Sequence, residues 1–245
     1  MTIETSPTAT CATACVLLVL SLASAGAEES SRGLSQAETL LWMTDQLKTI
    51  DRPLELTYRF DRTGSFERGF TDTVKFVVNK VMDDGMKSAS LAFLTGERRI
   101  AVPPVTNTNV NPVLKVYLQG DVYEMNRLTD TNATARERWR YFQRRIKFAL
   151  ADTAKVADVV VSFNGQEYAA QEVSFSPYVN DPNRQSFAKF ADKSYTIVVS
   201  EELPGYLYRI ETIVPGASPE EPPLIKEVLQ LVGVADMAGG AKAGL

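Results

Sequence analysis

The chain has 245 residues, with 26 Lys and Arg against 30 Asp and Glu and a formal net charge of −4. That acidic balance argues against nucleic acid as a partner, since phosphate backbones are met by a basic excess. There is no histidine, and the 2 cysteines are Cys11 and Cys15. Serine–histidine catalysis is therefore excluded, and beyond residue 15 so are disulfides and the commonest transition-metal ligands.

Residues 1–27 read as a secretory signal peptide. The apolar run Val16–Leu22 leads into Ala23-Ser24-Ala25-Gly26-Ala27, which offers a small-residue cleavage site after Ala27. Its first fifteen residues lack Lys and Arg, unlike an ordinary export signal. The apolar run is shorter than the about 20 residues that span a bilayer. The expectation is an exported, periplasmic protein with no transmembrane helix in the mature chain. Residues 28–34 read as a flexible start, 35–237 as a single β-rich domain and 238–245 as a flexible tail.

Ser35 with Glu38 three residues on forms a capping box, and Leu40, Trp42-Met43 and Leu47 follow at near-helical spacing. The spacing predicts a leading helix over Ser35–Ile50. Leu54, Leu56, Tyr58 and Phe60 then alternate with polar residues, the pattern of a strand with one wet face. Val74, Phe76 and Val78 begin a second strand, Asp83-Asp84-Gly85 supplies a turn, and Ala89, Leu91 and Phe93 return. Pro103-Pro104 and Thr106–Asn109 predict a loop over 101–110.

Asn111-Pro112 is a helix start, and Leu114, Leu118, Met125 and Leu128 place a helix over 112–128. Gly120 within it weakens it by about 1 kcal/mol. After a polar linker, Ala135–Ala151 carries the sharpest helical pattern. Trp139, Phe142, Ile146, Ala149 and Leu150 take one arc, and Arg136, Arg140, Arg144 and Lys147 another. Beyond it come more strands. Val159, Val161 and Phe163 lead into Asn164-Gly165, a strong hairpin signal, and Tyr168 to Phe175 return. Tyr195, Ile197 and Val199 pair through Pro204-Gly205 with Tyr206, Tyr208 and Ile210, and Leu224–Val234 closes the set.

The predicted class is α+β and β-rich. It is a curved antiparallel sheet or incomplete barrel of about eight strands, in two groups, with two or three packed helices. Hairpin-linked strands exclude a doubly wound parallel sheet.

The chemistry-bearing patterns are few. Ser186-Phe187-Ala188-Lys189 matches S-x-x-K but stands without the companion motifs of penicillin-recognising enzymes. Asp181-Pro182-Asn183 and Asp83-Asp84-Gly85 lack the ligand spacing of a calcium loop and read as turns. Asp61, Glu67, Asp72, Glu172, Glu201 and Glu211 lie in or near strands, and their spacing sets no glycosidase pair. No catalytic residue, metal ligand or cofactor is expected, and the protein is read as a non-enzyme.

Binding patterns are clearer. Tyr58, Phe60, Trp139, Tyr206 and Tyr208 are the candidate lining of an apolar ligand site between sheet and helices. Arg140, Arg144 and Lys147 are the candidate contacts for an anionic headgroup or a protein partner, arginine being suited to bidentate phosphate and carboxylate contacts.

The order of elements resembles the periplasmic lipoprotein-carrier group of the LolA and LolB type. The resemblance rests on Ser35–Ile50 as leading helix, Leu54–Phe60 as first strand, and the hairpin Tyr195–Ile210 around Pro204-Gly205. It implies an incomplete barrel lidded by helices, with acyl chains held in the concavity, and assigns no residue a role. The expected function is a periplasmic carrier or binding protein for a lipid or other apolar ligand, with peripheral membrane contact. The alternative is an envelope interaction module, accessory to a larger complex and without a small ligand.

Overall fold

The computed structural model describes residues 33–129 and 138–237, apart from the side chain of Ala188. The signal segment 1–27, the linker positions 130–137 with Arg136, and the tail 238–245 lie outside the described residues. From Leu34 onward the chain forms one compact unit.

Among the described residues ten strands make one antiparallel sheet: β1 (Leu54–Thr63), β2 (Phe70–Val81), β3 (Lys87–Phe93), β4 (Ile100–Ala101), β5 (Val105–Thr108), β6 (Lys155–Phe163), β7 (Gln166–Phe175), β8 (Ser194–Val199), β9 (Leu207–Val214) and β10 (Ile225–Asp236). Their order is β4-β3-β2-β1-β10-β9-β8-β7-β6, with β5 also on β3. The sheet is curved and unclosed, as the sequence pattern predicts, with β4 and β6 at its ends. The two strand groups join where the first strand pairs with the last, from Leu54↔Asp236 to Thr63↔Lys226.

Alternation decides the faces. Leu54, Leu56, Tyr58 and Phe60 of β1, Val74, Phe76 and Val78 of β2, and Ile225, Leu229 and Leu231 of β10 are buried on the inner face. The outer face keeps charged pairs such as Lys75–Glu55 and Arg209–Glu211. Helices α2 (Pro112–Thr129) and α3 (Arg138–Asp152) turn their apolar arcs inward, through Val113, Leu114, Leu118, Val122 and Met125 and through Phe142, Ile146, Ala149 and Leu150. These side chains and those of the sheet form one core.

Two sequence expectations need correction. The leading helix is short: α1 (Gln36–Glu38), with the predicted capping box, runs into a single π-turn (Thr39–Met43) and stops. Thr44 is extended, and the amides of Gln46 and Leu47 donate to Asn109 O at 3.0 and 3.2 Å. That tertiary bonding replaces the helical bonds that would have continued to Ile50. The 101–110 segment is not all loop. Ala101 and Ile100 pair with Ala92 and Phe93, and Val105 and Thr108 with Ala89 and Lys87. Pro103-Pro104 separates the two short strands because proline cannot donate to a ladder. These two additions bring about eight strands to ten.

The Asn164-Gly165 hairpin is as predicted. Both residues have positive φ, 51° and 78°, which a type I′ turn demands. Asn111 ties four regions together. Its amide nitrogen donates to Gln46 Oε1 (2.9 Å), and its Nδ2 donates to Tyr58 Oη (2.9 Å) and Gly205 O (2.8 Å). Its Oδ1 caps α2 by accepting from the Val113 amide at 3.0 Å. Gly205 has φ of +76°, and a Cβ there would stand 2.2 Å from Leu56 Cδ1, so only glycine admits this approach.

Candidate functional site

Two polar systems flank α2, one inside and one outside. Inside, Asp121 faces the sheet and pairs with Lys193, both side chains buried, and Tyr195 Oη donates to Asp121 Oδ2 at 2.6 Å. Tyr178 Oη lies 3.3 Å from Tyr195 Oη. On β10, Glu227 accepts from Tyr117 Oη at 3.0 Å and pairs with Arg62 at 3.2 Å. Arg62 also binds Glu124 and Glu67, and both are joined by Arg127. A line of partnered charges thus runs from the core to the rim. Burial pushes the Glu227 carboxyl up, Lys193 pulls it down, and nearby Asp121 adds to the rise. Burial also opposes ionisation of Glu124, but hydrogen bonds from Arg127 and Arg62 outweigh it and bring that carboxyl down to about 2. Burial raises Tyr117, Tyr178 and Tyr195 well above the usual phenol value. A space of about 150 Å³ adjoins this network beside Phe60, Phe70, Phe93 and Tyr117.

Outside, α2, α3 and the π-turn enclose an open groove of about 480 Å³. Leu118, Val122, Ile146, Leu150 and Trp42 give it an apolar floor and wall, and Lys115, Lys147, Gln119 and Gln143 give it polar edges. Among the described residues no carboxylate lines it. Among the described residues, neither lysine has a carboxylate partner. The Nε2 of Gln119 is buried without a hydrogen-bond partner. The volume lies within the about 300–1,000 Å³ of small-molecule sites.

The structure separates the predicted ligand-site residues. Tyr58, Phe60 and Tyr206 are buried in the packed core, and Tyr58 is fixed by Asn111. Tyr208 is half-buried, donating to Ser162 O at 3.0 Å and accepting from Gln230 Nε2 at 3.1 Å. Trp139 stands apart, on the helix side, 6.0 Å from the ring of Tyr123. The sheet's inner face is filled where the sequence suggested a cavity, because α2 sends Tyr117 into it, against Phe60, Thr212 and Glu227. Arg140, Arg144 and Lys147 are exposed along α3.

The remaining sequence candidates resolve into local structure. Ser186 donates to Asn183 O at 2.8 Å, and Lys189 Nζ lies 6.0 Å from the Phe66 ring centroid. Asp61, Glu67, Asp72, Glu201 and Glu211 each have at least one cationic partner. Asp181 is a buried anchor for α3. It pairs with Arg145 at 2.7 Å and accepts from Tyr141 and from the Asn183 amide. Among the described residues no three carboxylates gather as a metal site requires, and no helix is long and apolar enough to cross a membrane.

No protein-family model matches the chain, and neither does any curated protein. Solved structures do. The Mycobacterium tuberculosis lipoprotein LppX is 7% identical, with 84% of this chain and 99% of that one covered, at a TM-score of 0.34. A LolA superfamily protein from Nitrosomonas europaea is 8% identical over 83% and 94% of the two chains, TM-score 0.22. A DUF1329 family protein from Desulfovibrio piger is 10% identical over 84% and 94%, TM-score 0.27. The architecture that the sequence resembled, an open antiparallel sheet with helices on its inner face, is the one this chain adopts. At such scores no residue's role passes across.

Sequence reasoning missed Asp121, Lys193, Lys115 and the groove. One signal was available: Asp121 falls on the apolar arc of α2 between Leu118 and Met125. A charge in such a stripe announces a buried partner.

Proposed function

We propose that the protein is a non-catalytic, exported binding protein or carrier for an amphiphilic, lipid-like ligand. The ligand's apolar part would lie along Leu118, Val122, Ile146 and Leu150, and its anionic head would meet Lys115 and Lys147. The observation that carries this reading is an apolar groove edged by two lysines without carboxylate partners and by the unpaired amide of Gln119. Buried donors seek acceptors, and a carboxylate or phosphate head supplies them.

Oleate, with neutral oleyl alcohol as control, tests it by calorimetric titration. The protein is expected to bind oleate near one to one and the alcohol more weakly. Lys115→Glu with Lys147→Glu is expected to weaken oleate at least tenfold, two charge-assisted contacts being lost. Failure to bind oleate, or binding indifferent to the lysines, sinks the reading.

A second reading has its own support. The inner face of the sheet is packed with side chains, as in a module that binds only proteins. Native mass spectrometry of gently purified protein separates the two. A retained lipid favours the carrier, and a clean unliganded mass favours the envelope module.

A further inference from the structure

The outer face of α2 and α3 carries a feature that a ligand groove does not need. Large apolar side chains stand out into water on it and on the adjoining π-turn: Tyr123 is 54% exposed, Phe148 51% and, on the π-turn, Trp42 39%. Trp42 walls the groove on one side. Tyr123 leads from α2 to Trp139, which lies on α3 one turn before groove-lining Gln143. Phe148 is next to Lys147 on the other flank of the same helix.

Between these aromatics run Arg140, Arg144 and Lys147, one per turn on the exposed arc of α3. None has a carboxylate partner among the described residues, and the Arg140 guanidinium rests 5.3 Å from the Trp139 ring centroid. The acidic residues of α2 point elsewhere: Asp121 to Lys193 in the core, Glu124 to Arg62 and Arg127. Asp152 of α3 is exposed beyond Phe148, at the far end of the helix, and has an interaction of its own; the arc that carries Arg140, Arg144 and Lys147 is aromatic and cationic and complementary to one surface above others. Lipid headgroups of negative charge meet the arginines and lysines, and the aromatic rings sit at headgroup depth.

We infer that the α2–α3 face docks on an anionic bilayer surface, with Trp42, Tyr123, Trp139 and Phe148 at the headgroup level and Arg140, Arg144 and Lys147 against lipid phosphates. Docking engages the rim of the groove, Trp42 and Lys147 included, and not its floor, so it does not require the groove to hold a ligand.

The chain's own tryptophans report on it. There are 2 in the sequence, Trp42 and Trp139, and both lie on this face. The full chain is mixed with vesicles of phosphatidylcholine alone or with a third of phosphatidylglycerol, each also prepared with brominated acyl chains. With the anionic vesicles, emission is expected to shift to the blue and be quenched by bromine, and 0.5 M salt to reverse much of this. Arg140→Glu with Arg144→Glu is expected to lower partitioning more than about tenfold, each basic residue near an anionic surface adding roughly fivefold. Oleate binding is expected to survive in that variant, which separates failure of docking from failure of the ligand reading. Emission unchanged by anionic vesicles, or equal partitioning of wild type and variant, overturns the inference. So does equal partitioning into neutral vesicles. A face that ignores vesicles but captures an acidic protein would do the same.

Discussion

Beneath α2, every buried charge has a partner: Asp121 meets Lys193, and Glu227 meets Arg62. A few ångströms outward, on the exposed side of α2 and α3, Lys115, Arg140, Arg144 and Lys147 have no carboxylate among the described residues. The difference follows from solvent. An unpaired charge in the core loses hydration worth several kcal/mol, so the chain places its opposite beside it. A charge in water loses little by standing alone, so its isolation reflects no folding constraint. The inner system therefore reads as architecture, and the outer one is open to something the protein meets.

The hardest test of that contrast is inside. Asp121→Ala leaves Lys193 buried and unpaired and is expected to destabilise by about 3–5 kcal/mol in urea unfolding. Asp121→Leu combined with Lys193→Met removes both charges and is expected to be milder. Equal losses in the two variants would mean that the pairing is not what holds this region. Asn111→Ala comes next. It strips the cap of α2 and leaves Tyr58 Oη and Gly205 O to find new partners, while the backbone bond to Gln46 stays, with an expected loss of about 2 kcal/mol.

Acid sharpens the comparison further. Glu124 is held down to about 2 in the fold, against 4.5 for a free glutamate. Its contribution is full above pH 4.5 and is lost as pH falls from there towards 2. Glu227 has the opposite sign. Its carboxyl is raised, so ionising it above the unfolded value works against the fold. Glu124→Gln is expected to flatten the acid limb of a stability profile, and Glu227→Gln to leave that limb in place. The smallest effect belongs outside. Arg140→Ala with Arg144→Ala is expected to move stability by no more than about 0.5 kcal/mol. A large loss in that variant would make the outer face structural and dissolve the contrast.

Much of the sheet was legible because alternation at period two survives into the fold, as in Leu54, Leu56, Tyr58 and Phe60. So were α2, from Asn111-Pro112 and its apolar arc, and the turn at Asn164-Gly165. The leading helix was misjudged because its second half is decided by Asn109, more than sixty residues away, and no local pattern carries that information. The ligand-site aromatics were misplaced for a related reason. Alternation says that Tyr58 and Phe60 face inward, but not whether the inward space is full. The exposure of Arg140, Arg144 and Lys147 was legible because helical periodicity alone puts them in water. The groove could not, since it depends on how two helices and a π-turn pack.

The pairing of β1 with β10 has a consequence for how the molecule comes into being. Leu54 and Asp236 are neighbours in the sheet, although most of the chain lies between them. Until its last strand exists, the first has one open edge, and the two halves have no seam to hold them. Contacts so distant in sequence form slowly, since a long loop must close before they reward it. A chain ending before Ile225 is not a shortened version of this protein but two unjoined half-sheets, and a chain still emerging stays soft until β10 has formed.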